Sequence, residues 1–461
     1  MSEKTPQEQI PDGPHVAGRD RLSYIITASK ETIDSTNKEI EDVYPEGGLR
    51  AWLVVAGAFV TLFCSLGMQS SVGVLQSHWE KNQLQSYTPG TIGWISSVFV
   101  YLNMVLAAQV GPMFDKYGPR WILLIGSVLF TLTMFLLGSC KEYYQFMLCL
   151  GGLGGLSGSL VTTPSMVVLS HWFNHRRGMA TGIAMVGASL GGIVFPLILR
   201  ATLDSLGWAW SLRIIGFIFM GLLSIGNICI KTRLPPKTRK GGLNLRSFRD
   251  SRLVWFTAAQ FCMFLYPYHR FKSHELIGPK VGQIVLVASL GLVPSYAIAQ
   301  GFNTETSLYL MSVYNAGAAV GRGLSGFACD RFGRFNTMAV IMGFTTVFIF
   351  ALWYPFGHNV GVLYTFVVLM GFGTGAILCL IPVCIAQMCK TEEVGLWLGN
   401  CYLVISHGSL VAIPIGGQLL KIIGPSNLVA FIGAMLAVSF VCLLGARWAC
   451  LGYNWKWFIT M

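Results

Sequence analysis

From residue 49 onward, long apolar runs alternate with short clusters of charge. Eleven runs read as helices, at 49–75, 91–113, 121–139, 144–169, 179–199, 210–230, 306–329, 337–353, 362–388, 397–420 and 428–450. About 20 residues rising 1.5 Å each cover the ~30 Å of a bilayer's hydrocarbon. Lipid offers backbone amides no partner outside their own segment, and runs this long are not barrel strands, so each must be helical. A twelfth helix is expected after residue 253, where the pattern is disturbed. Residues 253–265 supply only 13 apolar positions before the polar YPYHRFKSHELIGPK, and 281–300 is long enough to span alone.

The pattern also repeats. GPMFDKYGPR, from Gly111 to Arg120, returns as GFACDRFGRF from Gly326 to Phe335, with Asp115 and Asp330 215 positions apart. Gly154 pairs with Gly371 and Gly178 with Gly395 at an offset of 217, and Pro164 with Pro382 and Pro196 with Pro414 at 218. An offset held across four helices predicts an all-α polytopic membrane protein of two parallel six-helix halves, 47–230 and 253–450, twelve transmembrane helices in all. In each hinge the glycines, Gly111 and Gly118 or Gly326 and Gly333, permit a tight turn. Asp115 and Asp330 can accept hydrogen bonds from helix N-terminal amides or pair with a base such as Arg120 or Arg331. The expected role is a latch that holds the half-bundles together on one side. GGLGGLSGS in the fourth run has no strand before it and lies within an apolar 20-mer, so its four-residue spacing of small residues predicts close helix packing rather than a nucleotide loop.

Composition agrees. Hydrophobic residues make up 53% of the 461 and charged residues 11%, against about 25% charged in soluble domains, and the mean hydropathy is +0.59. The net charge of +12 is uneven: residues 1–46 hold ten acids and five bases, whereas 231–252 holds eight bases and one acid. The bases crowd into loops after the second, fourth, sixth and eighth helices. Topology explains them better than nucleic acid does, and it places both termini in the cytoplasm. Residues 1–46 are expected as a disordered cytoplasmic tail, 231–252 as a basic linker and 451–461 as a short tail. The twelve cysteines form no CxxC pair and read as small hydrophobes, so neither a metal nor a cofactor is expected. No GxxxxGK[ST] loop exists for ATP-driven transport, and no convergent nucleophile and base mark an enzyme.

GPMFDKYGPR and GFACDRFGRF resemble the loop signature of the major facilitator superfamily. PEGGLRAW from Pro45 to Trp52, HWFNHRRGMATGIAMVGASLGG, SYAIAQG and NAGAAVGR are similar to the monocarboxylate porter family, especially its fungal members. The resemblance implies a secondary transporter that rocks two halves about a central solute site, in the plasma membrane. Two positions depart from that family. Its substrate-binding Lys falls at Ser70, and its helix Asp, four residues before an Arg, is replaced by Ala318 while Arg322 remains.

The residues themselves point the same way. None of the ten acids after residue 46 is placed at mid-membrane, so an embedded carboxylate relay is absent. Arg322 is the single arginine placed within a helix rather than at its end, and a buried guanidinium needs a partner, either helix carbonyls or a passing anion. His407 is a core histidine or a proton-linked group. Asn103, Asn315, Asn400, Tyr101, Tyr314 and Tyr402 line a cavity or bond between helices. The missing Lys and Asp favour export or facilitated movement of a larger organic solute over proton-linked uptake of monocarboxylates. A non-transporting sensor on the same fold is the other alternative, and the sequence leaves an accessory or homo-oligomeric partner open. Joining 253–265 to 291–300 gives 23 residues, one span. Residues 266–290 therefore read as an insertion of the kind a retained intron leaves.

Overall fold

Residues 44–234, 245–262, 304–357 and 359–453 are described by a computed structural model, and every regular element among them is a helix. We label the helices by their span. Helix α1 is Leu49–Lys81. Helix α2 is Pro89–Val105, continued past Leu106 by Ala107–Tyr117. Helix α3 is Pro119–Leu137, and α4 covers Tyr143–Trp172 with a π-helical stretch at Met147–Gly154. Helices α5 and α6 are the arms, 177–206 and 208–229, of Arg177–Cys229. Helix α7 begins as Ser251–Cys262, α8 is Thr304–Phe332, α9 is Arg334–Phe356 and α10 is Val360–Met388. Val394–Cys450 supplies α11 (394–428) and α12 (Val429–Cys450). Among the described residues, eight helices are long and apolar enough to cross a membrane.

Helix ends follow local chemistry. Thr88 Oγ1 accepts from the Thr91 amide at 3.2 Å and Pro89 occupies the first turn of α2, where a missing N–H costs nothing. Glu142 and Gln145 form a reciprocal capping box at α4, and Asn359 caps α10. Several expected boundaries change, including the gap at 421–427, which is helical. Helix α1 runs on to Lys81 rather than ending at 75, because Gln76 to Lys81 keep the helical hydrogen bonds beyond the apolar run. The expected loop at 200–209 is mostly helix, with the chain turned at Gly207 alone, at φ 75° and ψ 173°. A side chain would be strained in that conformation and glycine is not.

The repeat is visible in the packing. A Cβ on Gly155 of α4 would stand 3.0 Å from the Phe99 carbonyl of α2, and one on Gly371 of α10 would stand 2.2 Å from the Tyr314 carbonyl of α8. Both members of the second contact lie 215 or 216 positions after those of the first. Small residues let these backbones touch, as membrane helices require in the absence of a hydrophobic drive. Glu46–Met461 forms one compact unit. Residues 1–43, 235–244, 454–461 and the segment 266–290 read as an insertion lie outside the described residues.

Candidate functional site

The two hinges reach across the halves. Gly118 sits between α2 and α3 at φ 75°, and Gly333 between α8 and α9 at φ 93°. From the end of α8, the Asp330 carboxylate accepts the Gly178 and Met179 amides at 2.8 Å each. From the end of α2, Asp115 accepts the Gly395 and Leu396 amides at 3.2 and 2.8 Å. Each aspartate of one half thus caps a helix N-terminus of the other, α5 or α11, where unpaired amides and the helix dipole favour negative charge. Gly178 and Gly395, one repeat apart, are the two receiving positions. A Cβ on Gly326 would lie 2.4 Å from the Gly178 carbonyl, and one on Gly111 would lie 2.0 Å from that of Gly395. Both contacts are to backbone and cannot relax by turning a side chain.

Arg120 and Arg331 are exposed. Other groups brace the α5–α8 end. Arg334 donates through Nη2 to the Asn174 carbonyl, and buried Arg177 donates from α5 to the Ala386 carbonyl of α10 at 2.8 Å. Glu46, just before α1, accepts the Asn174, His175 and Arg176 amides at 2.8, 2.7 and 3.1 Å. Burial opposes ionisation of Glu46, but these three donors and neighbouring His175 outweigh it and hold its carboxyl below the ordinary range. Sequence reading missed these three residues because their partners are distant backbone atoms with no composition signal.

Farther along the same helices lies the second cluster. Gly178, Gly182, Met185, Ser189 and Gly192 of α5 recur at spacings of four and three, which puts them on one face. That face meets α8. A Cβ on Gly182 would stand 2.7 Å from the Arg322 carbonyl. Arg322 is buried and donates through Nη1 to the Met185 carbonyl at 3.1 Å and Ser189 Oγ at 2.7 Å, while its Nε has no partner among the described residues. Two turns on, Asn315 donates to the Gly192 carbonyl at 3.3 Å and the Met311 carbonyl at 3.1 Å. Ser70 of α1 closes on the same glycine, its Cβ lying 2.9 Å from where a Gly192 Cβ would sit, and its hydroxyl donates back to Leu66 at 3.1 Å. The small-residue rhythm of α5 was the available signal for this seam.

The fold thus brings Ser70, Asn315 and Arg322 to the meeting of α1, α5 and α8. His407 stands apart on α11. It is exposed rather than a core residue, bonds through Nδ1 to the Leu403 carbonyl at 2.8 Å, and meets Tyr101 of α2 edge-on at 5.8 Å. Tyr314 hydroxyl pairs with Thr374 at 2.5 Å, and Asn400 donates to Ser247 at 2.6 Å. Among the described residues no group of three His, Cys, Asp or Glu is placed to hold a metal ion.

A model of the Major Facilitator Superfamily matches residues 57–271 and 281–449. The chain belongs to the Major Facilitator Superfamily. Members similar to it include the riboflavin transporter MCH5 of Saccharomyces cerevisiae, 32% identical over 93% of this chain and 84% of that protein. The aspyridones efflux protein apdF of Emericella nidulans is 32% identical over 88% of this chain and 79% of that protein. Among solved structures, the human organic anion transporter MFSD10 (TETRAN) matches with a TM-score of 0.63 at 14% identity, covering 86% of this chain and all of that one. That likeness supports the superfamily fold. The protein is a multi-pass membrane transporter.

Proposed function

We propose that this transporter exports a small amphiphilic metabolite, an organic anion in the leading case, by alternating access. The observation that carries the reading is Arg322, a buried guanidinium at the seam between the halves, bonded to a carbonyl and a hydroxyl but, among the described residues, to no carboxylate. A buried charge needs compensation, and an anionic solute supplies it. Ser70 and Asn315 are the nearby polar groups that would orient the solute. Asp115 and Asp330 act as the cytoplasmic latch, favouring the state open to the other side. The efflux names of relatives support the direction.

Uptake is the second reading, favoured by the riboflavin transporter relative. We also assign the chain to the monocarboxylate porter family on its PEGGLRAW and NAGAAVGR motifs, with Ser70 and Ala318 at that family's charged positions. Both termini are assigned to the cytoplasm and the protein to the plasma membrane. Residues 266–290 are assigned to an insertion; the superfamily match breaks between 271 and 281, inside that segment. A spliced transcript that retains those codons would refute it.

Oriented vesicles loaded with amphiphilic acids test the function. Export that is lost in Arg322→Met and partly kept in Arg322→Lys is expected. Uptake alone would reverse the direction, and unchanged anion export in Arg322→Met would remove the assigned site.

A further inference from the structure

The ends of α3 and α4 away from the hinge carry two cysteines that transport does not use. These helices run antiparallel in close register. Gly126 of α3 faces Leu160 of α4, where an added Cβ would lie 2.7 Å from the leucine Cβ, and Thr133 faces Gly154 at 3.3 Å. Seven residues forward on one helix correspond to six back on the other, and a further step of this size from Thr133 reaches Cys140 opposite the Cys149 region. Cys149 Sγ of α4 lies 3.5 Å from the Thr133 carbonyl of α3, and Cys140 Sγ lies 3.4 Å from the Leu136 carbonyl, so both thiols sit on facing turns of the same seam. Cys140 is half-buried between exposed Ser139 and Lys141.

We propose that Cys140 and Cys149 form a reversible disulfide, a redox modification site that staples the outer ends of α3 and α4. Cys140 sits beside exposed residues, and the neighbouring Cys149 side chain holds its thiol below its usual range against the opposing effect of burial, which makes Cys140 the attacking sulfur. A hydroperoxide is the oxidant. The Cys140 thiolate attacks it and becomes a sulfenic acid, and Cys149 then displaces water to close the S–S bond. In sum two thiols lose two protons and two electrons, and hydrogen peroxide becomes two waters. The placement rests on the proposed orientation, since α3 leads from the cytoplasmic hinge to Cys140 on the oxidising side, where disulfides persist. Both cysteines belong to one half, so rocking leaves their separation unchanged and the staple is compatible with transport.

Trypsin cleaves after Lys141, between the pair, and leaves peptides 121–141 and 142–176 with one cysteine each. The full-length protein would be exposed to hydrogen peroxide in its native state, alkylated with iodoacetamide and digested without reductant. The two peptides are expected as one species that dithiothreitol separates. Recovery of both as alkylated peptides, or linkage of Cys149 to another cysteine, would overturn the proposal. On intact cells a membrane-impermeant maleimide should label Cys140 in the Cys149→Ser variant. Labelling only after permeabilisation would overturn the placement on the oxidising side. Neither readout uses a transport substrate, so failure of the export reading would leave both results standing.

Discussion

The α5–α8 seam is built in two ways along its length. At the hinge end a carboxylate meets two helix amides, glycine backbones touch, and the cations Arg177 and Arg334 each find a carbonyl of the other half. Two turns deeper the same helices hold one arginine with a nitrogen left unpartnered among the described residues. Where polar groups are matched in number, the contact closes on itself and specifies a conformation. Where they are not matched, a buried charge is left that a ligand's opposite charge would compensate. On the reading proposed above, the difference goes with gating at one end and cargo chemistry at the other.

The strongest way to break the comparison is to push the hinge apart. Gly326→Val puts carbon against the Gly178 carbonyl and the Gly182 Cα, 2.4 and 2.9 Å from the Cβ position. Overpacking typically costs about 1–3 kcal/mol, so closure on this side should weaken about 5- to 150-fold. Cys329 reports it, being buried where a Gly178 Cβ would intrude at 2.0 Å. Its alkylation should accelerate while transport falls, and unchanged labelling would mean that the glycine contact is not part of the closed state.

Arg322→Met tests the deeper end. Removing an uncompensated buried cation is often neutral or stabilising, so the variant should keep or raise its melting temperature while losing anion transport. A drop in stability with transport intact would instead make Arg322 a structural brace to α5. Asp330→Asn comes next, since its one amide oxygen can accept from only one of the two N–H groups and without charge, a difference of about 1–2 kcal/mol. Cys329 labelling should rise about 5- to 30-fold with solute affinity unchanged. A lost affinity would show that the two ends are not separate.

Much of this division was legible in the sequence, for physical reasons that differ by position. Asp115, Asp330 and their glycines were readable because a tight turn and a backbone contact admit few residue types, and the repeat wrote them twice. Arg322 stood out because charge within an apolar run is expensive. The pairing of Gly178 with Asp330 was not readable, because it joins residues 152 positions apart through backbone amides that every residue carries. His407 was misjudged as a core residue because apolar neighbours in sequence say nothing of which face a helix turns inward. The bend at Gly207 was mistaken for a ten-residue loop because Arg200 and Asp204 look like loop residues, although they sit in a helix that runs past the apolar stretch.

The smallest effect belongs to Glu46, which braces the turn that Asp330 caps without itself crossing between halves. Its amide contacts lower its pKa from an ordinary value near 4.5. A carboxylate depressed on folding contributes stability that is fully present above that ordinary value and is lost as pH falls through the folded one. Glu46 is half-buried at the surface, so screening keeps the contribution to about 1 kcal/mol or less. Glu46→Gln should therefore speed Cys329 alkylation no more than about fivefold at neutral pH. It should also remove part of the fall in melting temperature expected of the native chain as pH drops below that ordinary value. If the acid response of the variant matches that of the native chain, another group loosens the hinge in acid, and the turn before α5 is held by Asp330 without help from Glu46.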